Sequence, residues 1–238
     1  MDPGDETVAL PREEAQQLTK VLRLGVGDTV AVFDGRGHEF LARVASAVGR
    51  DVRVQLVSRV DAAAESVVAL TLAQAVLKGD KMDEVIRDAV MLGVAAIQPV
   101  VTRRAEVTVA ALMKGARVDR WRRIALASVK QSGRALVPEI RMPLTFEILL
   151  DEPPSALRIL LVEPGAPAEV EHVSVLLKAP APADATIFVG PEGGWTEPEW
   201  SAAAARGVRL MSLGPRTLRA DAVPIAAISV LQFIWGDL

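Results

Sequence analysis

The sequence predicts an α/β protein in which a small β-rich module precedes a larger domain built on a mostly parallel sheet. In the first part of the chain, short apolar strands are separated by tight turns. From Val67 onward, apolar strands alternate with helical segments, which is typical of a parallel sheet covered on both faces. The chain has 238 residues, half of them hydrophobic, which suffices for both parts. We therefore expect domains at residues 1–66 and 67–238.

The first domain is predicted from its turns and strands. The predicted elements are a helix at 11–22 and strands at 29–33, 38–44 and 52–60. The turn at 34–37 contains two glycines and joins two of the strands as a hairpin. Short strands with tight turns indicate a small β-barrel. The alanine-rich stretch at 61–66 is expected to be a linker.

The second domain is predicted from strands that alternate with helices. Its expected strands lie at 67–76, 95–101, 157–162, around Ile187 and at 208–213. Its expected helices lie at 81–92, 109–131, 170–178, 197–206 and 222–235. Gly93 is placed to end the first of these helices, and Gly115 is expected to break the second. The stretch 179–185 is expected to be a linker.

The segment 186–199 is expected to carry the functional site. A buried strand ends there at a loop that contains Gly190, Gly193 and Gly194, and a helix starts immediately after it. The pair Thr196 and Glu199 forms the sequence pattern of a capping box. In α/β sheets, ligands bind beyond the carboxyl ends of the strands, and glycines allow the backbone to approach them. A second loop of this kind, at 213–221, is expected to complete one pocket.

Neither loop matches a known nucleotide fingerprint. The first lacks the Gly-Lys-Ser/Thr of a phosphate-binding P-loop, and its glycine spacing differs from that of dinucleotide-binding folds. Two glycine loops after consecutive strands therefore indicate a ligand pocket without identifying the ligand.

Composition excludes several classes of protein. With no cysteine and two histidines, the chain cannot form disulfides and is not expected to bind zinc or any other metal. The acidic N-terminus lacks the apolar core of a signal peptide, and no apolar run is long enough to cross a bilayer. We therefore expect a soluble cytoplasmic protein.

The charge is unevenly distributed. The net charge is −3, yet the stretch 103–134 has nine Lys or Arg residues and only two carboxylates. A local charge of +7 in an acidic protein is typical of a surface that binds a phosphate-rich partner. The alternative is a solvated helix face, and the sequence leaves both open.

Two motifs identify the family that the chain resembles. Phe-Val-Gly-Pro-Glu-Gly-Gly at 188–194 and Leu-Gly-Pro-Arg-x-Leu-Arg-x-Asp at 213–221 closely resemble the RsmE family. Lys-Gly-Asp-Lys-Met-Asp at 78–83, Gln-Ser-Gly-Arg at 131–134 and the segments 21–28 and 33–35 resemble further family motifs. The resemblance covers nearly the whole chain. These proteins are SPOUT-class methyltransferases that modify N3 of a uridine in small-subunit (16S) ribosomal RNA.

The resemblance implies a fold, a cofactor and a set of contacts. The expected fold is a PUA-like barrel followed by a SPOUT domain with a trefoil knot, and a homodimer is expected to complete the site. S-adenosyl-L-methionine is the expected cofactor, bound in the knot. The expected cofactor contacts are Val162, Glu163, Val189, Gly190, Pro191, Glu192, Gly194, Leu213, Gly214, Leu218 and Arg219. The expected RNA contacts are Arg12, Arg23, Arg36, Lys78, Lys81, Arg103, Arg104 and Arg134.

The chemistry assigns candidate roles to three residues. Uracil N3 must lose a proton before it attacks a methyl group, so a base or a stabilising cation is needed. Arg219 and Arg134 are candidates for stabilising cations or RNA clamps, with surface ion pairs as the alternative. Asp221 is a candidate base or a partner that orients an arginine, but it could equally cap the last helix. The family usually has Glu at this position.

Further alternatives concern two residues and the activity itself. Trp195 could stack on a base, although an interior anchor is favoured. Glu192 could orient a ligand or bond to its own glycine turn. The activity could be that of another SPOUT methyltransferase with a different RNA target, or of an RNA-binding module that has lost catalysis.

Overall fold

The computed structural model describes residues 7–165 and 170–238, which divide into two compact units. Among the described residues, the first unit comprises the chain from Thr7 to Ala64 together with Gly133–Val137. The second unit comprises Glu65–Ser132 and Pro138–Leu238. The short segment Gly133–Val137 therefore interrupts the second unit in sequence.

The first unit contains a four-stranded antiparallel sheet in the order β1–β4–β3–β2. The strands are β1 (Thr7–Ala9), β2 (Thr29–Phe33), β3 (Glu39–Val48) and β4 (Asp51–Val60). Helix α1 (Arg12–Gln16) continues into a π-helical turn (Gln17–Val21), and together they bury Ala15 and Leu18 against the sheet. The segment Gly133–Val137 joins the β2–β3 turn, because the Val137 N–H donates to Gly35 O and the Gly37 N–H to Ala135 O.

The second unit is built on a parallel sheet. The order of its main path is β10–β12–β9–β11–β5–β6–β7, and β8 pairs with β6. The strands are β5 (Ala69–Ala75), β6 (Ala96–Val101), β7 (Glu139–Ile140), β8 (Leu144–Thr145), β9 (Leu157–Leu161), β10 (Glu171–His172), β11 (Asp184–Val189) and β12 (Arg209–Ser212). The helices are α2 (Lys81–Met91), α3 (Val109–Lys114), α4 (Arg117–Ser132), α5 (Phe146–Asp151), α6 (Glu197–Ala205) and α7 (Ala222–Trp235). A 3-10 helix (Val173–Lys178) precedes β11.

The α/β class and the mostly parallel sheet are confirmed, and the bounds of β2 and α7 agree with the sequence prediction. The break near Gly115 is also confirmed, since α3 and α4 flank it. The helical segment predicted at 170–178 is present as a 3-10 helix at Val173–Lys178, but strand β10 precedes it at Glu171–His172, where helix was expected. Strand β11 starts inside the predicted linker. Sequence reasoning missed β1, β7, β8, β10 and α5, because strands of two or three residues and a six-residue helix carry too little periodicity. The trefoil knot stays a prediction.

One face of the sheet is covered by α5 and α6. Leu160 of β9 and Phe188 of β11 are buried there with Phe146 of α5 and Ala203 of α6. The Phe146 and Phe188 rings meet edge to face, with centroids 5.9 Å apart. Because β9, β11 and β12 are parallel neighbours, the loops after them lie at the same edge of the sheet.

Candidate active site

The loops that follow β9, β11 and β12 enclose a cleft of about 230 Å³. The structure brings together all eleven residues that were expected to contact the cofactor. They are Val162 and Glu163 after β9, Val189, Gly190, Pro191, Glu192 and Gly194 at β11, and Leu213, Gly214, Leu218 and Arg219 after β12. Asp221 lines the same cleft. Contact with a cofactor itself stays a prediction.

Several further residues of the cleft wall were not among the expected cofactor contacts, although some belong to the two loops that were expected to form the pocket. They are Leu161, Pro164, Trp195, Arg216, Thr217, Ala220 and Val223. Most of them are sequence neighbours of the predicted residues, so the motifs themselves could have identified them. Lys81 also lines the cleft, although it was expected to contact RNA phosphates. Its position depends on the packing of α2, which the motif at 78–83 does not specify.

Two glycines of the first loop lie where a side chain would not fit. A Cβ atom on Gly190 would approach the Trp195 ring to 3.1 Å. Gly194 has a φ of +67°, and its Cβ would meet the Glu163 carboxylate at 3.0 Å. The left-handed backbone therefore favours glycine at position 194, and the tip of the Glu163 side chain would have to shift to admit a larger residue. Both glycines line the cleft with their backbone.

Trp195 is an interior anchor of the loop. Its Nε1–H donates a hydrogen bond of 3.0 Å to the Leu161 carbonyl at the end of β9. Its ring packs on Phe146, with centroids 4.7 Å apart. Trp195 therefore ties the β11 loop to the neighbouring strand. Because both contacts lie within the fold, they favour the interior anchor over stacking on an RNA base.

Glu199 fixes the start of α6. Its carboxylate accepts hydrogen bonds from the Thr196 N–H at 2.8 Å and from the Thr196 hydroxyl at 2.7 Å. It also accepts one from the Arg103 N–H at 2.8 Å. Because Glu199 is only 2% exposed, these donors compensate for its burial. The predicted Thr196–Glu199 cap is present and also holds the loop that follows β6.

Glu192 connects the glycine loop to the start of α2. Its carboxylate accepts hydrogen bonds from the Lys81 ammonium at 3.1 Å and from the Lys78 N–H at 3.2 Å. Burial alone would raise the pKa of Glu192, but these bonds and its own backbone N–H lower the pKa below its ordinary value. Glu192 is therefore an anionic anchor for Lys81 inside the cleft.

Arg219 and Asp221 form a two-pronged ion pair at the rim of the cleft. Arg219 Nε lies 3.1 Å from Asp221 Oδ1, and Nη2 lies 2.8 Å from Oδ2. Asp221 occupies the position before α7, but its side chain makes no capping hydrogen bond. Burial acts to raise the pKa of Asp221, yet its own N–H, the Arg219 guanidinium and the Lys81 charge lower it overall. The pairing favours the arginine-orienting role over the helix cap.

The other predicted cations lie outside this cleft. In the second unit, Lys78 pairs with Glu106, the Arg104 guanidinium donates to the Gly193 carbonyl, and Arg103 lies 3.8 Å from Glu147. In the first unit, Arg12, Arg23 and Arg36 are exposed, and Arg23 has a φ of +55°. Arg134 belongs to the first unit, where its side chain is buried and has interaction partners.

Two absences apply to the described part of the chain. Among residues 7–165 and 170–238, no group of three or more His, Cys, Asp or Glu side chains could hold a metal ion. Within the same ranges, no helix is long and apolar enough to span a bilayer.

Comparisons with known protein families match most of the chain. Residues 64–232 match the model of an RNA methyltransferase domain. Residues 10–57 match the model of an RNA methyltransferase PUA domain. The two matches fall in the C-terminal and N-terminal parts of the chain, as the motifs predicted.

Similar proteins support the same assignment. Ribosomal RNA small subunit methyltransferase E of Synechocystis is 34% identical over 236 residues, which cover 96% of this chain and 73% of the relative. The enzyme of the same name from Neisseria gonorrhoeae, solved with S-adenosyl methionine, superposes with a TM-score of 0.82 at 31% identity, covering 98% and 93% of the two chains. A Legionella pneumophila methyltransferase solved with its cofactor SAM superposes with a TM-score of 0.86 at 31% identity, covering 96% and 92%. The chain therefore belongs to the RsmE family of RNA methyltransferases, as its glycine-loop motifs predicted.

Proposed function

We propose that this protein transfers the methyl group of S-adenosylmethionine to N3 of a uridine in small-subunit ribosomal RNA. The observation that carries the proposal is the cleft, in which both glycine-loop motifs of the RsmE family meet around the Arg219–Asp221 pair. In this proposal, residues 67–238 carry out the transfer and residues 1–66 bind RNA. The reaction takes place in the cytoplasm, where the ribosomal RNA is.

The residues of the cleft fit S-adenosylmethionine. Apolar side chains such as Val189, Leu213 and Leu218 suit an adenine ring, while the loop backbone at Gly190 and Gly194 is open to close approach. Glu163 and Asp221 bring carboxylates to a cleft that would hold a cation. When bound, S-adenosylmethionine supplies a methyl group on a positively charged sulfonium.

The residues of the chain then have separate tasks. Arg219 would stabilise the negative charge that develops on the uracil oxygens as N3 loses its proton to solvent. The freed N3 electron pair would then take the methyl group as the bond between that group and sulfur breaks. Asp221 orients the Arg219 guanidinium and stays ionised, since its pKa is held below the ordinary value. A carboxylate with a lowered pKa is a weak base, so Asp221 acts through Arg219 rather than as the proton acceptor. Lys81, held by Glu192, adds a second positive charge to the cleft.

We propose that the active form is a homodimer. Helix α7 buries Ile228 and Leu231 but leaves Phe233 68% exposed, with Ile225 and Val230 also exposed. Exposed large apolar side chains on a helix that is itself apolar favour a protein interface. Light scattering of the purified protein tests this, since a mass of about 25 kDa, that of the single chain, would contradict it.

Methyl incorporation tests the activity. Small ribosomal subunits from a strain that lacks the enzyme are incubated with labelled S-adenosylmethionine, and large subunits serve as the control. We expect label in the small-subunit RNA alone. Label in another RNA would favour a different SPOUT methyltransferase activity. Cofactor binding without transfer to any RNA would contradict the proposed activity.

A further inference from the structure

A second cleft lies on the other side of the glycine loop. Its volume is about 260 Å³, and its walls come from the end of β5, the turn before α2, the loop after β6 and the first residue of α4. Three cationic side chains line it, those of Lys78, Arg104 and Arg117. Two carboxylates, Glu106 and Glu192, lie among them.

Glu192 and Pro191 form a wall that both clefts share. On the side of the second cleft, Glu192 accepts a hydrogen bond from the Lys78 N–H at 3.2 Å. On the side of the first, it accepts one from the Lys81 ammonium at 3.1 Å. One loop segment therefore separates the two clefts, so an RNA strand whose base reaches the cofactor in the first cleft can also lie along the second.

Both carboxylates of the second cleft already have partners within the protein, whereas the Arg117 guanidinium has none among the described residues. Glu106 pairs with Lys78, and this hydrogen bond raises the pKa of the lysine. Glu192 accepts hydrogen bonds from the Lys78 N–H and the Lys81 ammonium. Within the described ranges, the Arg117 side chain makes no hydrogen bond or ion pair, and the nearby Asp80 and Asp83 carboxylates pair with Arg120 instead. It is exposed at the start of α4, so its guanidinium is available to an anion.

We infer that the second cleft binds a backbone phosphate of the RNA, next to the nucleotide whose base enters the first cleft. This inference rests on the proposed function. The arginine fork matches the oxygens of a phosphate, and Arg117 is the main ligand, with Arg104 at the cleft wall. A phosphate contact positions the strand without reading its sequence, so Arg117 is a positioning residue.

The salt dependence of RNA binding tests this role. The dissociation constant for small-subunit ribosomal RNA is measured between about 50 and 200 mM salt, a range over which binding through several phosphate contacts weakens steeply. In Arg117→Ala, we expect weaker binding and a slope of log K against log salt that is smaller by about 1. Arg117→Lys keeps the charge and should retain the slope. Arg123→Ala removes an exposed arginine of the same helix that does not line the cleft, so it should behave as wild type.

Two further measurements separate the possible failures. Titration calorimetry with S-adenosylmethionine should give the same affinity for wild type and Arg117→Ala, and an unchanged melting temperature would exclude misfolding. If Arg117→Ala keeps the wild-type slope, or if Arg123→Ala lowers the slope equally, the inference is wrong. If the wild-type protein transfers no methyl group but Arg117→Ala still lowers the slope, the proposed function fails and the phosphate cleft stands.

Discussion

Arg219 and Asp221, two residues apart, are joined by hydrogen bonds of 3.1 and 2.8 Å. The arginine side chain is 75% exposed, whereas the aspartate is only 17% exposed. An exposed cation at the rim of the cleft is thus attached to a more buried carboxylate. This pairing restricts the guanidinium to one orientation, and such preorganisation is what charge stabilisation during a reaction requires.

Replacement of Asp221 by Asn should lower methyl transfer about 10- to 100-fold, because a misoriented catalytic group costs rates of that order. The neutral amide keeps the shape of the side chain but loses the charge-assisted bonds to Arg219. The turnover number should fall more than the affinity for S-adenosylmethionine. Asp221→Glu is the control, since the RsmE family usually has Glu here, and it should restore part of the rate. Equal activity of Asp221→Asn and wild type would contradict the orienting role.

The contribution of Asp221 to stability should depend on pH in one direction. The pKa of Asp221 is lowered in the folded protein, so its contribution is fully present above the ordinary carboxyl value of about 4. This contribution to the free energy of unfolding is lost as the pH falls through the lowered pKa of Asp221 in the folded protein. The difference in unfolding free energy between wild type and Asp221→Asn should therefore be constant from about pH 5 to 7 and shrink below about pH 4. Urea titrations at several pH values measure it, and a difference that grows on acidification would contradict the assigned ion pair.

Replacement of Gly190 by Ala should disturb the cleft through Trp195. The added methyl group would lie 3.1 Å from the indole nitrogen that bonds to Leu161, so the ring must shift. Overpacking of this kind costs about 1–3 kcal/mol. Thermal unfolding should show the loss, and calorimetry should show weaker binding of S-adenosylmethionine. Gly25→Ala is the control, because no atom lies within 4 Å of its added Cβ. If the two variants behave alike, the account of Gly190 is wrong.

Replacement of Glu199 by Ala should destabilise the second unit. The change removes the acceptor for the Thr196 N–H, the Thr196 hydroxyl and the Arg103 N–H. Each buried donor left unsatisfied costs about 1–3 kcal/mol, so the midpoint of urea unfolding should fall clearly. Glu199→Gln retains one acceptor oxygen and should cost less. Glu197→Ala, on an exposed residue of the same helix, serves as the control, and a loss of equal size there would refute the buried-acceptor role.

The sequence was sufficient to predict the parts of the site that local chemistry determines. The Thr196–Glu199 cap and the left-handed turn at Gly194 depend on neighbours in the chain, so their roles follow from spacing. The first cleft, formed by the loops after β9, β11 and β12, could be predicted because parallel strands bring their carboxyl ends to one edge of the sheet.

The remaining contacts depend on long-range packing and could not be predicted. Glu192 contacts Lys78 and Lys81, which lie more than 100 residues earlier in the chain. The hydrogen bond from Arg104 to the Gly193 carbonyl likewise joins residues 89 positions apart in the chain. The segment Gly133–Val137 joins the first unit through backbone hydrogen bonds to the β2–β3 turn, and no side-chain pattern reports such bonds.

The identity of the methylated nucleoside tests the central claim most directly. RNA from small subunits treated with the protein and S-adenosylmethionine is digested to nucleosides, which are then separated and identified by mass spectrometry. We predict 3-methyluridine in the treated sample and its absence when Arg219→Ala replaces the wild-type protein. Methylation of another atom or another base would contradict the assigned chemistry, even if the same cleft binds the cofactor.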